Sequence, residues 1–272
     1  MRTVVHLSDL HFGRVDPALL RPLIEIVRRQ SPNLVAVSGD LTQRARTGQF
    51  REARAFLDVL PRPRLVVPGN HDVPLYDVAA RFTRPLARYR RYIDADLEPS
   101  FVDGEIAVFG VNTARSLTFK RGRINQAQID RLRERLCGLP DGITKVVITH
   151  HPFDLCSSRD SGALVGRAGL ARQILSACGC DLLLAGHLHV GGASEGTPRS
   201  VPAFEPIVVQ AGSATSTRRR GESNSFNVID IESHRIAVRR YDWQPGAAIF
   251  EQVRSESFER VADGWRRAGR AA

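Results

Sequence analysis

Apolar residues recur along the chain with two distinct spacings. Short continuous runs rich in Val, Ile and Leu predict buried strands at residues 4–7, 34–37, 65–67, 106–111, 146–148, 182–185, 207–209, 226–231 and 235–241. Helical spacing, with apolar residues three or four positions apart, appears at residues 17–30, 48–60, 125–137 and 166–178. The early alternation of strand and helix predicts βαβ units and a largely parallel sheet, whereas the late strands predict antiparallel pairing. We therefore expect an α/β fold with two sheets flanked by helices.

The domain organisation follows from the absence of a linker or an internal repeat. We expect one domain over residues 1–254. Residues 76–97 interrupt the rhythm with an arginine-rich, aromatic helical pattern, which is either a helical cap over a site or a solvated surface helix. Residues 255–272 predict a charged amphipathic helix or tail.

Composition bounds the compartment and the redox state. The chain has 272 residues and 42% hydrophobic content, which is ample for a packed core. It contains no apolar run long enough for a transmembrane helix and no signal-peptide pattern at its start, so we expect a cytoplasmic protein. Its four cysteines fit neither a disulfide framework nor a paired CxxC zinc site, and we predict that they are reduced and mostly buried. The sequence is compatible with a homo-oligomer.

The formal charge of +10 does not by itself indicate a nucleic-acid partner. Only Lys120 and Lys145 among the 39 basic residues are lysines, and this excess of arginine, together with abundant alanine, is typical of a GC-rich genome. We therefore do not expect nucleic acid as a ligand. Arginine does pair bidentately with phosphate, so Arg88 and Arg218, each within an arginine cluster, are candidate substrate contacts.

Five predicted strands end in polar residues that can bind a metal ion. These ends are residues 8–11 (SDLH), 38–40 (SGD), 69–72 (GNHD), 149–152 (THHP) and 186–189 (GHLH). Any one of them could be a polar turn with a surface histidine. Ligands of α/β sheets bind outside the carboxyl ends of the strands, so five such ends can converge on one site.

The spacing within these segments also suits metal binding. Asp9 and His11 are two positions apart, as are His187 and His189, so an extended backbone would turn both members of each pair to one side. Glycines precede Asp40, Asn70 and His187 and leave room for a close approach of the backbone.

The donors number two carboxylates, one amide and four imidazoles. They are Asp9, His11, Asp40, Asn70, His150, His187 and His189, with His71 and His151 in reserve. One structural zinc ion needs four ligands, whereas seven suit two ions that share a carboxylate, an arrangement used on phosphate esters. Mixed nitrogen and oxygen donors favour Mn, Fe or Zn and argue against calcium.

The ordered set DxH, GD, GNHD, a later His and GHxH resembles the calcineurin-like metallophosphoesterases over roughly residues 1–215. The resemblance implies a four-layer α/β/β/α sandwich of two mixed sheets flanked by helices. It also implies a pair of metal ions bridged by Asp40. The first ion would be held by Asp9, His11, Asp40 and His189, and the second by Asp40, Asn70, His150 and His187.

The resemblance further implies how the reaction proceeds. Two cations lower the pKa of a bridging water, which attacks phosphorus as hydroxide. His71 would face the substrate and stabilise developing charge or protonate the leaving oxygen, and Asp72 would orient His71. His150 is the expected ligand of the THHP segment, which leaves His151 as a candidate substrate contact.

Within the family, the chain most resembles the bacterial class III cyclic nucleotide phosphodiesterases and their glycerophosphodiesterase relatives. The signals are its length, the early Asp-Leu-His, the Thr-His-His-Pro segment and residues 212–215. This likeness implies a phosphodiesterase acting on cyclic nucleotides or other small phosphodiesters. The alternatives are a lipid-linked nucleotide pyrophosphatase, a phosphomonoesterase or a nuclease on the same site, and a non-catalytic binding scaffold.

Overall fold

Two mixed β-sheets form the centre of the fold. The computed structural model describes residues 1–156, 164–196, 204–217 and 221–269. The strands are β1 (Arg2–Leu7), β2 (Leu34–Val37), β3 (Arg64–Val66), β4 (Ser100–Val102), β5 (Ile106–Val111), β6 (Thr144–Thr149), β7 (Leu182–Ala185), β8 (Gly192–Glu195), β9 (Ile207–Gln210), β10 (Ser225–Ile231), β11 (Arg235–Gln244), β12 (Ile249–Val261) and β13 (Gly264–Arg267). The helices are α1 (Pro17–Arg29), α2 (Thr47–Val59), α3 (Val78–Thr83), α4 (Ala87–Tyr92), α5 (Gln126–Cys137) and α6 (Ala168–Ala177), and a 3-10 turn spans Asn70–Asp72.

The strand order brings the ends of the early strands together. One sheet has the order β13-β12-β11-β10-β1-β2-β3, with β1, β2 and β3 parallel and the remaining pairs antiparallel. The other has the order β4-β5-β6-β7-β9-β8, in which β5, β6, β7 and β9 are parallel. Parallel neighbours end at the same edge of a sheet, so the polar residues that follow β1, β2 and β3 share one edge and those after β6 and β7 share another.

Three apolar layers hold the sheets and helices together. Val4 packs between the two sheets, whereas its neighbour Val5 packs on the opposite face against the helical layer that contains α1 and α2. Val147 of β6, in the second sheet, likewise packs against the helical layer that contains α5 and α6. Successive side chains alternate between faces that are both buried, which explains the continuous apolar runs in the sequence. The predicted four-layer α/β/β/α fold is confirmed.

The four helices predicted from spacing are present as α1, α2, α5 and α6, with ends shifted by at most two residues. In α1 the side chain of Asp16 accepts a hydrogen bond from the Ala18 backbone N–H, and Pro17 occupies the first turn, where its missing N–H costs nothing. Leu19, Leu23 and Val27 form its buried face. Among the helices of the described residues, none combines the length and apolar character needed to cross a bilayer.

Residues 76–97 form two short helices, not one long cap. Pro85 separates α3 from α4, since proline lacks the N–H that a continuous helix would need there. In α4, Tyr89 is fully buried against Phe50, and its hydroxyl donates to the Val66 carbonyl oxygen at 2.9 Å. The second half of the segment is therefore part of the core.

The predicted charged helix or tail at residues 255–272 is wrong. Strand β12 crosses the expected boundary at residue 254, and β13 returns to pair with it. Phe258, Val261 and Trp265 lie three and four positions apart in the sequence, which imitates a helical face. In the structure a hairpin turn separates Trp265 from the other two residues. Phe258 and Trp265 both enter the layer between the sheets.

The expectation of four reduced cysteines is also wrong. Cys137, the last residue of α5, and Cys178, which follows α6, form a disulfide with a Cα–Cα distance of 4.7 Å. The two helices lie side by side on one sheet, so their ends meet although the cysteines are 41 positions apart. Cys156 and Cys180 are free thiols.

Candidate metal centre

The polar segments that follow β1, β2, β3, β6 and β7 meet at one place. The seven predicted ligands fall into two groups of converging donor atoms, and the carboxylate of Asp40 lies between them. One oxygen of that carboxylate, Oδ2, is 3.7 Å from His11 Nε2, and the other, Oδ1, is 3.4 Å from His150 Nε2. Asp40 thus offers a different oxygen to each group.

The first group lies at the end of β1. Asp9 Oδ1 is 3.5 Å from His11 Nε2 and 3.6 Å from His189 Nε2. The side chains of Asp9 and His11 are fully buried, and His189 is nearly so. Three donors therefore converge within one ion's reach, with Asp40 completing a set of four.

The second group lies between the ends of β3, β6 and β7. His150 Nε2 is 3.1 Å from Asn70 Oδ1 and 3.3 Å from His187 Nδ1. With Asp40 Oδ1 this group also has four donors, and they are nitrogen and oxygen atoms in equal number.

Unpaired buried atoms show that the first group fits a cation. Asp9 Oδ1 and His11 Nε2, which face each other, are buried without a hydrogen-bond partner in the described residues. Buried polar atoms in folded proteins are almost always satisfied, so such atoms facing one another require an explanation. A transition-metal ion held by imidazole and carboxylate supplies it.

Hydrogen bonds behind the donors fix which atoms face inward. His150 Nδ1 lies 2.8 Å from the Ser38 carbonyl oxygen, and His189 Nδ1 contacts the Ser213 hydroxyl. The Ser8 hydroxyl donates to Asp9 Oδ2 at 2.7 Å. Such partners turn the opposite ring nitrogen or oxygen toward the place where a metal ion would bind. The sequence offers no signal for Ser213, whereas Ser8 adjoins Asp9.

Five of the seven predicted ligands have a left-handed backbone. Their φ angles are 53° for Asp9, 51° for His11, 52° for Asp40, 73° for His187 and 60° for His189. This conformation costs an L-residue about 1 to 2 kcal/mol, and it concentrates at functional sites. The expectation that an extended backbone pairs these ligands is wrong, since they follow the strands in tight turns. Those turns send His187 and His189 to different groups.

Gly69 is required by the close approach of two loops. A Cβ atom built at this position would collide with the carboxylate and the backbone nitrogen of Asp40. The absence of a side chain lets the Asn70–Asp72 turn lie directly on Asp40, whose Oδ1 accepts a hydrogen bond from the His71 backbone N–H at 2.8 Å. The predicted reason for this glycine is therefore confirmed.

His71 lies at the edge of the two groups. Its ring contacts Gln43 and Arg44, which the sequence did not indicate as partners. Its Nε2 is 4.0 Å from Asp40 Oδ2, while Nδ1 is 3.1 Å from Arg44 Nη1 and 2.9 Å from the Gln43 carbonyl oxygen. The same Arg44 nitrogen donates to that carbonyl at 2.8 Å. Nδ1 thus lies between a guanidinium that can only donate and a carbonyl oxygen that can only accept, and Nε2 is the ring nitrogen that faces the site.

The carboxylate of Asp72, which was expected to orient His71, is engaged by backbone groups of two loops. It is buried and accepts hydrogen bonds from the backbone N–H groups of Leu41, Thr42 and Gly69 and from the Thr42 hydroxyl, at 2.9 to 3.2 Å. Burial and the nearby Asp40 charge raise the pKa of Asp72 to about 6, against the effect of these donors. Asp72 thus joins the loops after β2 and β3, and the ring of His71 is held by Gln43 and Arg44.

The buried carboxylates and imidazoles of the site shift one another's pKa values. Burial would raise the pKa of Asp40, but the surrounding histidines, His150 first, hold it well below its usual range. Burial opposes the charge on His150 too, yet the carboxylates of Asp40 and Asp9 raise the pKa of its imidazole to about 9. His187 behaves in the opposite way, because burial and the charge of His150 lower its pKa to about 4.

The three predicted substrate contacts fare differently. His151 is fully buried, with Nδ1 2.8 Å from the Thr113 hydroxyl and Nε2 3.1 Å from the Lys120 carbonyl oxygen, so both ring nitrogens are engaged within the protein. Arg88 donates to Asp77 at 3.0 Å and to the Ala45 carbonyl oxygen at 3.2 Å, which ties α4 to neighbouring loops. Arg218 lies outside the described residues. The structure therefore brings neither His151 nor Arg88 forward as a substrate contact.

Solved structures with the same fold include two phosphatases. The chain superimposes on a dimetal phosphatase from Danio rerio with a TM-score of 0.68 at 16% identity, covering 94% of this chain and 98% of that one. A purple acid phosphatase from yellow lupin gives a TM-score of 0.69 at 11% identity, with 96% of this chain and 54% of that one covered. At these identities the likeness establishes the fold.

Sequence relatives carry the names of phosphodiesterases. The chain is 23% identical to the 3',5'-cyclic adenosine monophosphate phosphodiesterase CpdA of Escherichia coli K12 over 267 residues, which cover 90% of this chain and 93% of the relative. It is 32% identical to the glycerophosphodiester phosphodiesterase GpdQ of Enterobacter lignolyticus over 80 residues, 25% of this chain and 29% of the relative.

The fold and the paired donor groups define a metal-dependent hydrolase of phosphoric esters. The family model of calcineurin-like phosphoesterases matches residues 2–191, and the chain belongs to this family. The family resemblance read from the motifs is thereby confirmed, as is the prediction of an enzyme. Proteins of this family use a binuclear metal centre.

Proposed function

We propose that the protein is a di-metal phosphodiesterase that hydrolyses cyclic nucleotides or other small phosphodiesters. The observation that carries the proposal is the position of Asp40, whose two carboxylate oxygens face different donor groups at 3.7 and 3.4 Å. A carboxylate shared in this way is the feature that two metal sites on phosphate esters have in common. The relatives named as phosphodiesterases support the diester over the monoester.

The ligands are divided between the two groups. Asp9, His11, Asp40 and His189 would hold one ion, and Asp40, Asn70, His150 and His187 the other. Two divalent ions bound there, of Mn, Fe or Zn, would supply a water of lowered pKa and neutralise the phosphoryl oxygens. The serine hydroxyls and carbonyl behind Asp9, His150 and His189 hold the donor atoms in place before any ion arrives.

His71 would act on the substrate and not on a metal ion. Its Nε2 atom faces the space beside Asp40, where a leaving oxygen would gain charge. A proton or a hydrogen bond donated from Nε2 would lower the energy of that oxygen in the transition state. Arg44 and Gln43 keep the ring in this orientation, so the acid is positioned from behind by residues that do not touch the substrate.

The test compares esters that share one leaving group. Protein loaded with Mn²⁺ is expected to hydrolyse bis(p-nitrophenyl) phosphate faster than p-nitrophenyl phosphate, and a preference for the monoester would contradict the diesterase assignment. His71→Ala is expected to retain two metal ions per chain while kcat falls about 10²- to 10⁴-fold, the usual value of a general acid. His234→Ala, at an exposed position in a strand connection, is the matched control.

Metal content separates ligand roles from substrate roles. Asp40→Asn is expected to lower the content of both ions, whereas His189→Ala should affect one of them, as measured by elemental analysis after gel filtration. If His71→Ala loses metal to the same extent as His189→Ala, His71 is a ligand and the division of roles is wrong.

The lipid-linked pyrophosphate alternative would need an apolar groove at the cap. The structure has an apolar cavity of about 500 Å³ beside α1 and α2, lined by Phe12, Leu20 and Phe56 among others, and none of its lining residues belongs to residues 76–97. We therefore favour the small diester. A cytoplasmic location remains a prediction. The Cys137–Cys178 disulfide argues against it, because such bonds persist mainly in oxidising compartments.

A further inference from the structure

Exposed apolar side chains gather on two segments that lie side by side near Asn70 and His71. One segment leads into α3 and the other is the loop after β5. The exposed residues are Leu75, Tyr76, Val78, Phe82, Leu117 and Phe119. Arg81 joins the segments, because its guanidinium donates to the Pro74 carbonyl oxygen on one and to the Ser116 and Thr118 carbonyl oxygens on the other. A cluster of exposed apolar groups of this kind marks a binding surface more often than it occurs by chance.

Phe119 is held rigidly although its ring is exposed. The Cζ atom of Arg81 lies 4.2 Å from the centroid of the ring, within the range of a cation–π contact, and Arg81 itself is only 2% exposed. One face of the ring is thus covered by a fixed guanidinium. Phe119 is nevertheless 59% exposed, so much of the ring remains open to a ligand.

The backbone of Phe119 touches the candidate metal centre. Its carbonyl oxygen accepts a hydrogen bond from Asn70 Nδ2 at 3.5 Å, which turns Asn70 Oδ1 toward His150. The next residue, Lys120, bonds through its carbonyl oxygen to His151 at 3.1 Å. Gly122 then passes so close to the His151 ring that a Cβ atom would collide with it. The exposed ring is therefore carried by a loop that is fixed to the site at several points.

Tyr76 approaches the site from the side of His71. The Arg44 guanidinium that contacts His71 Nδ1 at 3.1 Å also lies 5.9 Å from the centroid of the Tyr76 ring. Tyr76 is 70% exposed. The two adjacent residues Asn70 and His71 are thus each linked to one exposed aromatic ring, Phe119 directly and Tyr76 through one arginine.

We propose that Tyr76 and Phe119 form an aromatic subsite that binds a planar group of the substrate, a nucleobase or another aryl substituent of the phosphate ester. This assignment rests on the proposed function. Stacking of a base on an aromatic side chain contributes about 1 to 3 kcal/mol, and a ring backed by guanidinium loses little freedom on binding. A glycerol substituent has no flat face and would gain none of this. The site therefore prefers diesters that carry an aromatic group over alkyl diesters.

The first experiment uses two diesters with the same leaving group. Bis(p-nitrophenyl) phosphate and ethyl p-nitrophenyl phosphate differ only in the group that stays on phosphorus. Phe119→Leu and Tyr76→Leu are each expected to lower the ratio of kcat/KM for the aryl over the ethyl diester about tenfold relative to the parent, within the range for one stacked ring. Phe82→Leu is the control, since Phe82 is also exposed on α3 but projects about 100° away from Arg81 around the helix.

The second experiment needs no turnover. Calorimetric titration of the Mn²⁺-loaded protein with 5'-AMP, ribose 5-phosphate, phenyl phosphate and methyl phosphate measures the contribution of the planar group alone. The parent is expected to bind each aromatic ligand about tenfold more tightly than its counterpart without the ring, and Phe119→Leu and Tyr76→Leu to reduce that difference. An effect restricted to the AMP pair assigns the subsite to nucleobases, and an effect in both pairs assigns it to aryl groups in general.

The outcomes separate the subsite from the function. One outcome is that neither variant changes the aryl-to-ethyl ratio of kcat/KM or the preference for aromatic ligands in the titration, while the parent prefers diesters. In that case the subsite is wrong and the phosphodiesterase assignment stands. If the parent prefers monoesters but both variants still lose the preference for aromatic ligands, the function is wrong and the subsite stands.

Discussion

The Arg44 guanidinium lies 3.1 Å from Nδ1 of His71, at the opposite edge of the ring from the Nε2 atom that faces Asp40. The Gln43 carbonyl oxygen lies 2.9 Å from the same nitrogen, so Arg44 and Gln43 together hold this edge of the ring. Arg44 is therefore a positioning residue for the proposed acid, although it is four residues beyond Asp40 and belongs to none of the metal-binding segments.

Arg44→Ala is expected to reduce kcat for a phosphodiester about ten- to hundredfold, which corresponds to the loss of one charged hydrogen bond. The metal content should change little, since Arg44 contacts no ligand atom. Arg44→Lys retains a donor and should recover part of the activity. The ring can be followed by ¹⁵N NMR of histidine-labelled protein, in which the Nδ1 signal of His71 is expected to shift in the Ala variant. An unchanged kcat with an unchanged His71 signal would show that Arg44 does not orient the ring.

Asp72→Ala is expected to destabilise the protein by at least about 3 kcal/mol, because it leaves the buried backbone N–H groups of Leu41, Thr42 and Gly69 without an acceptor. The measurement is urea unfolding followed by circular dichroism. Asp77→Ala removes an exposed helix cap from α3 and should cost only about 1 kcal/mol. If Asp72→Ala is as stable as the parent but inactive, Asp72 acts on His71 and the loop-joining role is wrong.

The strands and the metal-binding segments were predictable because their signals are local. A continuous apolar run followed by a polar residue shows where a strand ends, and the ends of parallel strands must meet. The seven donors could therefore be named before any distance was known. Their assignment to the two ions followed from the resemblance and stays a prediction.

The features that were missed depend on which segments meet in three dimensions. Arg44 resembles the many other arginines of the chain until β3 brings His71 beside it. The hairpin of β12 and β13 was misread because Phe258 and Trp265 imitate a helical face. The Cys137–Cys178 disulfide belongs to no sequence motif and arises only because α5 and α6 end side by side.

Reduction of the Cys137–Cys178 disulfide is expected to lower the free energy of unfolding by about 4 kcal/mol, the loop-entropy value for cysteines 41 positions apart. The check is urea unfolding with and without reductant, together with thiol titration in denaturant, where two free thiols should become four. Cys156→Ser alters a free thiol and should leave the effect of reductant unchanged. Four free thiols in protein purified without reductant would restore the expectation of reduced cysteines.

His6 is expected to make the protein less stable as the pH falls below 6.5. Its side chain is fully buried, with Nε2 2.9 Å from the Ser38 hydroxyl, and burial lowers its pKa from 6.5 to about 3. Between these two values the unfolded chain binds a proton that the folded protein excludes, so acidification favours unfolding by about 1.4 kcal/mol per pH unit.

The His6 contribution is isolated by His6→Gln, which keeps a polar partner for Ser38 but does not titrate. Between pH 7.5 and pH 5.0 the parent should lose about 2 kcal/mol more stability than this variant, because only the interval below 6.5 counts. Protonation of the metal ligands affects both proteins equally and cancels in the difference. His234→Gln, at an exposed position, controls for the substitution itself. Parallel pH profiles for the parent and His6→Gln would mean that His6 is protonated in the folded protein, and that the charge of Asp9 outweighs the cost of burying the imidazolium.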